Sequence, residues 1–226
     1  MGLFNDLMKL TAEIIYSFSK LLLSERYDDP VDTPAFHHKV WEYCCDKARK
    51  VAVAAPRGHA KSTAVTHAYV LAEALFRCSD FIVLLSATEK QAIRFLNDIK
   101  AELLDNQALV QMFKIDSNFI RFSEKEIIFQ MGTDKKKVCI TVLGASGGAG
   151  NVRGAKWNQK RPNLIVCDDV ETDEEVANDA RREKMLWWLY AAVIPALSKG
   201  GKVRFVGTIL HFDSLLERLM PATTGE

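Results

Sequence analysis

The stretch Val51-Ala-Val-Ala-Ala-Pro-Arg-Gly-His-Ala-Lys-Ser-Thr63 decides the fold. Its apolar opening has strand character, Pro56 and Gly58 break it into a turn, and Lys61-Ser62 stand at the mouth of a following helix. A strand feeding such a turn is a phosphate-binding device. Loop amides point inward, the helix N-terminus adds partial positive charge, and a lysine can span two phosphates. The Ser62 hydroxyl falls where a nucleotide-bound Mg²⁺ takes an oxygen ligand. The general pattern G-x-x-x-x-G-K-[ST], laid on Ala55 to Ser62, has alanine at both glycine positions, Ala55 and Ala60.

A second element lies downstream. Asn163 to Glu171 reads NLIVCDDVE, a buried-type strand ending in Asp168 and Asp169, with Glu171 two positions on. An apolar strand closed by acids is how a phosphate-loop ATPase holds Mg²⁺ and polarises the attacking water. Asp168 is the candidate for the ion, with Ser62. The water-orienting role stays open between Asp169 and Glu171, because the position after the first aspartate, where most such enzymes carry glutamate, holds the shorter Asp169. Together the two motifs call for ATP and Mg²⁺.

Working outward, strands and helices alternate. Phe36 to Lys47 reads as a short helix before the phosphate-loop strand, and Ser62 to Cys78 as the helix after it, with Val65, Tyr69, Ala72, Leu75 and Phe76 on one face. Asp80 to Ala87 is uninterrupted apolar sequence, expected as a strand buried on both faces and as the central strand between the lysine-loop and acidic strands. Thr88 to Leu104 is helical with Thr88 as its cap. Short strands are expected at 119–122, 126–131 and 138–143, and a flexible glycine-rich loop from Ser146 to Asn151, ending in Val152-Arg153-Gly154. One long helix is expected from Glu174 to Leu197, interrupted at Pro195, then a strand Lys202 to Gly207 and a final helix from about Asp213. The expected fold is a three-layer α/β domain with a largely parallel sheet.

The chain has 226 residues, with 30 Lys and Arg against 29 Asp and Glu, so a net charge of +1 exerts no global pull on nucleic acid. Polyanion contact has to come from local patches: Lys135-Lys136-Lys137, or Arg153, Lys156, Lys160 and Arg161. The five cysteines show no C-x-x-C spacing, which argues against a zinc site and a disulfide framework and for a reducing compartment. At the N-terminus, Leu3, Leu7, Leu10, Ile14, Phe18 and Leu21 recur at three- and four-residue steps among charges. That pattern predicts an amphipathic helix packed on the domain rather than a membrane span. Ser24 to Pro34 is a polar linker, so residues 1–33 form helix and linker and 34–226 the ATPase domain. Trp187-Trp188 read as core on one side and interface on the other.

Pro56-Arg-Gly-His-Ala-Lys-Ser-Thr63, Val152-Arg-Gly154, LIVCDDVE at 164–171 and VRFVGTILHFDSLL at 203–216 resemble the large terminase subunit of tailed bacteriophages. The resemblance extends from near Phe36 to Leu219. It implies a P-loop NTPase of the ASCE/RecA-like kind that packages double-stranded DNA into a procapsid. The portal protein and small terminase subunit would be its partners, in a homo-oligomeric ring in the host cytoplasm that can be monomeric when isolated. It further implies nucleotide contacts from Pro56, Arg57, Gly58, His59, Ala60, Lys61, Ser62 and Thr63, and an adenine-side element at Phe36 and His37. Thr208 would be a γ-phosphate sensor, Arg57 would reach the γ-phosphate from its own subunit, and Arg153 would be an arginine finger that reaches a neighbour's. The nuclease domain such proteins carry is expected to be absent here, and DNA cleavage with it. Two other readings remain: a different nucleic-acid translocase of helicase type, and a nucleotide-binding interaction module that does not turn over.

Overall fold

The computed structural model describes residues 9–23, 32–147 and 149–221, so Leu3, Leu7 and most of the proposed linker lie outside the described residues. Its framework is one sheet of seven strands: β1 (Lys50–Ala54), β2 (Phe81–Ser86), β3 (Arg121–Ser123), β4 (Glu126–Met131), β5 (Lys136–Gly144), β6 (Leu164–Asp168) and β7 (Lys202–Gly207). The spatial order is β1-β7-β6-β2-β5-β4-β3; the first five run parallel, β4 runs antiparallel to β5, and β3 antiparallel to β4. The strand between the phosphate-loop strand and the acidic strand is therefore β7. The apolar run 80–87 forms β2, on the far side of β6, which corrects the expectation that it intervenes. Apolar continuity says a strand is buried on both faces, and two positions in this sheet satisfy that equally well.

Alternate residues of the same strands feed two separate cores. Ile82, Leu84, Leu164, Val166 and Val206 face one, whereas Phe81, Val83, Leu85, Ile165, Cys167 and Phe205 face the other. The period-two alternation of strand side chains thereby sandwiches the sheet between two helical layers. The first layer holds α1 (Ala12–Phe18), α2 (Ala35–Cys45), α3 (Val70–Leu75), α4 (Glu89–Asp105) and α5 (Gln107–Phe113). The second holds α6 (Ala149–Arg153), α7 (Asp173–Val176), α8 (Asp179–Trp188), α9 (Ile194–Ala196) and α10 (Leu215–Leu219). The molecule is a three-layer α/β fold with a largely parallel central sheet, and none of its described helices is long and apolar enough to cross a membrane.

Three local departures have physical causes. The N-terminal helix buries Leu10, Ala12, Ile15, Phe18, Leu22 and Leu23 and leaves Leu21 exposed. A π-helical turn at Ser19–Leu23 inserts an extra residue and rotates the face away from the expected step. The long helix expected from Glu174 is two, because Asn178 accepts from the Arg181 amide and caps a new start at Asp179. Thr88 caps α4 as expected, accepting from Gln91. The glycine-rich segment is not an open loop throughout: Ala149–Arg153 is a short helix.

One buried charge fixes the site's geometry. Arg204 on β7 is 1% exposed, and its guanidinium donates to the carbonyls of Cys44, Asp46, Ala48, Arg49 and Val203. A fork of five donors is well suited to gathering carbonyls from an irregular segment. It clamps the end of α2 and the chain leading into β1 onto β7.

Candidate nucleotide site

The site lies where β1, β6 and β7 end side by side. Beyond β1 the chain turns through Pro56 and Arg57 to Gly58, whose φ of +80° suits glycine, and Ala60, whose φ of +47° does not. A non-glycine residue held there costs about 1–2 kcal/mol. Ala55, the other position where the general pattern asks for glycine, has no positive φ, and its amide donates to the Gly207 carbonyl of β7 at 2.9 Å. Alanine is thus free of backbone cost at Ala55 and strained at Ala60. Thr63 opens a π-helical segment, Thr63–Tyr69, that continues into α3.

Lys61 is buried at 7% exposure, and its Nζ lies 3.2 Å from Asp169 Oδ2. Asp169 follows β6 with φ +43°, a left-handed backbone that turns its side chain across the strand ends. Its Oδ1 accepts from the Thr208 amide at 3.1 Å, and the Thr208 hydroxyl donates to the Ala55 carbonyl at 3.1 Å. Lys61, Asp169, Thr208 and Ala55 are therefore linked by one chain of contacts across the ends of three strands. Gly207 is small for a reason: a Cβ there would stand 3.2 Å from Asp169 Oδ1 and 3.3 Å from Leu216 Cδ2.

Asp168 is fully buried at the end of β6. Its Oδ2 accepts from the Thr66 hydroxyl, Ser86 Oγ donates to its backbone carbonyl, and its Oδ1 has no hydrogen bond of ordinary geometry among the described residues. Burial pushes its carboxyl up to about 6, while the Thr66 and Ser62 hydroxyls pull the other way. A buried carboxylate oxygen beside a serine hydroxyl is a hard-oxygen pair that fits Mg²⁺. Among the described residues no group of three His, Cys, Asp or Glu could hold a metal ion.

On the opposite flank, His37 Nε2 lies 2.9 Å from the His59 carbonyl, and the Phe36 and His59 rings meet edge to face at 5.9 Å. Trp41 Nε1 donates to the Ala64 carbonyl at 2.8 Å. Helix α2 is thereby attached to the loop at its middle and to the helix behind it, and Trp41 is a positioning residue that the sequence pattern did not single out.

The remaining candidates are engaged elsewhere. Glu171 is buried at 9% exposure, and its carboxylate accepts from the amides of Leu215 at 2.8 Å and Leu216 at 3.3 Å. It caps α10 and makes no described contact with Lys61, Ser62 or Asp168. Exposed Arg57 pairs with Asp173 at 3.2 Å, at the start of α7. Arg153 Nε donates to the Ala191 carbonyl at 2.7 Å, with its guanidinium 5.2 Å over the Trp187 ring, so it is docked in this structure rather than carried on a free loop. Trp188 is buried and Trp187 exposed. Of the basic patches, Lys135 is paired with Asp116, and Lys136 and Lys160 with Asp80, which leaves Lys137 as the member of the lysine run without an ion pair among those described.

The fold is shared with solved bacteriophage proteins. The large terminase of bacteriophage HK97 matches with a TM-score of 0.63 and 14% identity, over 92% of this chain and 40% of that one. The large terminase ATPase domain of Thermus phage P74-26 matches with a TM-score of 0.56 and 14% identity, over 84% of this chain and 68% of that one. A variant of that domain gives 0.55. No protein-family model matches the sequence, and no curated protein matches it. This chain spans two fifths of the HK97 protein's length, and its arrangement of strands and helices is similar to those of these solved terminase structures.

Proposed function

We propose that this chain is the Mg²⁺-dependent ATPase motor domain of a large terminase, hydrolysing ATP to drive double-stranded DNA into a procapsid. The observation that carries the reading is the set Lys61–Asp169–Thr208, linked at the ends of three adjacent parallel strands, with buried Asp168 and Ser62 beside it. Lys61 and the amides of residues 57–62 would neutralise the triphosphate, and Ser62 and Asp168 would supply oxygens to hold Mg²⁺. The bound Mg·ATP supplies an electrophilic γ-phosphorus. Asp169, once Lys61 turns to phosphate, has an oxygen free to orient water, and Thr208 reports the change to β7. Phe36 and His37 support the base side of the loop. Arg153 acts on a neighbour's nucleotide in a homo-oligomeric ring, with the portal protein and small terminase subunit as further partners in the host cytoplasm.

The assignment of Asp169 rests on its ion pair with Lys61, against the engagement of Glu171 in α10. Asp169→Ala is expected to keep ATP bound and to lower kcat about 10²–10⁴-fold. ATP affinity and turnover measured separately check this. An unchanged kcat would move water activation to another group, and an absence of Mg²⁺-dependent turnover in assembled oligomers of the unaltered chain would favour the interaction-module reading.

A further inference from the structure

Glu171 has no described role around Lys61, yet it is a buried carboxylate 44 positions from the amides it accepts from. Burying such a group is costly unless hydrogen bonds to its charged form compensate, and here the two α10 amides do so. Helix α10 has a local cap, Ser214, whose hydroxyl accepts from the Glu217 amide. The local cap reaches only the third amide of α10, and Glu171 serves the two amides before it. What Glu171 adds is a tie between α10 and the turn that carries Asp168 and Asp169.

That turn is a stiff connection. Val170, between Asp169 and Glu171, is 1% exposed and packed in the second core with Leu215 and Leu216. Asp169 is held in a left-handed backbone, and its side chain meets the Thr208 amide, at the start of the segment that leads into α10. The segment 208–214 is thus anchored at both ends to consecutive parts of one turn: at Thr208 by Asp169 and at Leu215 by Glu171. Between the anchors, Ile209 is 40% exposed and Phe212 84% exposed, the highest exposure among the large apolar side chains described. Asp213, held by Arg182 and Arg218, fastens the same segment to α8.

We infer that Glu171 is a positioning residue that transmits a nucleotide-dependent shift of the Asp169 turn to α10 and to the exposed tip Ile209 to Phe212. The inference rests on the nucleotide-site reading above. When Lys61 exchanges Asp169 for phosphate, Asp169 and Thr208 readjust, and the Glu171 tie makes α10 follow instead of slipping past the turn.

Hydrogen exchange across residues 208–219 of the 226-residue chain, with and without Mg²⁺ and a non-hydrolysable ATP analogue, tests it. Analogue binding is measured alongside by calorimetry. The unaltered chain is expected to bind the analogue and to change its exchange in this segment. Without nucleotide, Glu171→Ala is expected to speed exchange about fivefold at Leu215 and Leu216, and Ser214→Ala at Glu217, each having lost the acceptor of those amides. Only Glu171→Ala should then lose the nucleotide response, with analogue affinity within about threefold of the original. Glu171→Gln, which keeps one acceptor in the same shape, should give a reduced response, and it decides the matter if the alanine variant does not fold. The inference is overturned if the unaltered chain binds the analogue without any response in 208–219. It is equally overturned if the Glu171 variants respond fully, or if Ser214→Ala loses the response as well. An unaltered chain that binds no analogue overturns the nucleotide-site reading itself, and this inference with it.

Discussion

At the scale of single residues, the site is a balance between one free-energy cost and its use. Asp168 is buried with its pKa raised to about 6, above the ordinary carboxylate value near 4. A group raised in the folded state stabilises the fold below its unfolded pKa, and that contribution disappears as pH rises through the folded value. Stability of the nucleotide-free chain should therefore fall between about pH 4 and pH 6 through this residue, by about 1–3 kcal/mol. Asp168→Asn removes the titration. Chemical denaturation at pH 8 should show the variant more stable by that amount, with the loss between pH 4 and 6 abolished, while its Mg²⁺-dependent nucleotide affinity falls. A variant that loses stability at pH 8 would mean that the buried carboxylate is already compensated in the free chain.

Much of this residue-level picture is legible in the sequence. Lys61, Ser62, Asp168 and Asp169 stand out because strand, turn and charge coincide within a few positions. The choice between Asp169 and Glu171 is not legible there, since it turns on the left-handed backbone at Asp169 and on two amides of α10, contributed from more than 40 residues away. Trp41 was hidden for a related reason: an aromatic on an amphipathic helix face reads as core, and its hydrogen bond to the Ala64 carbonyl exists only in three dimensions.

At the scale of elements, strand and helix existence follows from periodicity, and the short strands expected at 119–122, 126–131 and 138–143 are β3, β4 and β5, paired antiparallel in succession. Lateral strand order does not follow, because β2 and β7 are both apolar enough for the central place. What β7 carries that β2 lacks is Arg204, four of whose five carbonyl partners lie on the end of α2 and the chain just before β1. Replacing it removes five donor contacts; the Cys44 and Arg49 carbonyls keep the Tyr69 hydroxyl and the Val203 amide, and those of Asp46 and Ala48 lose their described partner. Arg204→Met, apolar and of comparable length, is expected to destabilise the chain by about 3–5 kcal/mol. Urea unfolding checks the value. A loss below about 1 kcal/mol would show that the carbonyls find water instead, and that the clamp does not hold α2 and β1 to β7.

At the scale of the whole molecule, the proposal needs more than one copy. Arg153 lies over Trp187 and bonds Ala191, in a docked position from which it has to be released to serve another subunit's nucleotide. Arg153→Ala chains retain a sound phosphate loop, and Lys61→Ala chains retain the arginine. Under conditions that allow assembly, a mixture should recover hydrolysis that neither variant shows alone, by an amount that rises with the fraction of mixed contacts. Mixed oligomers without recovery would assign Arg153 to its own subunit or to packing on Trp187. The sequence shows that an arginine follows a glycine-rich run; it does not show that Ala149–Arg153 folds back as a helix onto α8 and the turn after it.

The central claim is that Lys61 and the acids of β6 make this chain a Mg²⁺-dependent ATPase. It is tested most directly by phosphate release from ATP by the unaltered chain and by Lys61→Ala, each under conditions that allow assembly and each with and without Mg²⁺. The account predicts turnover that requires Mg²⁺ in the unaltered chain and falls by at least about 10²–10³-fold in the variant, with the far-ultraviolet circular dichroism of the two unchanged. Equal turnover in the two chains would contradict it.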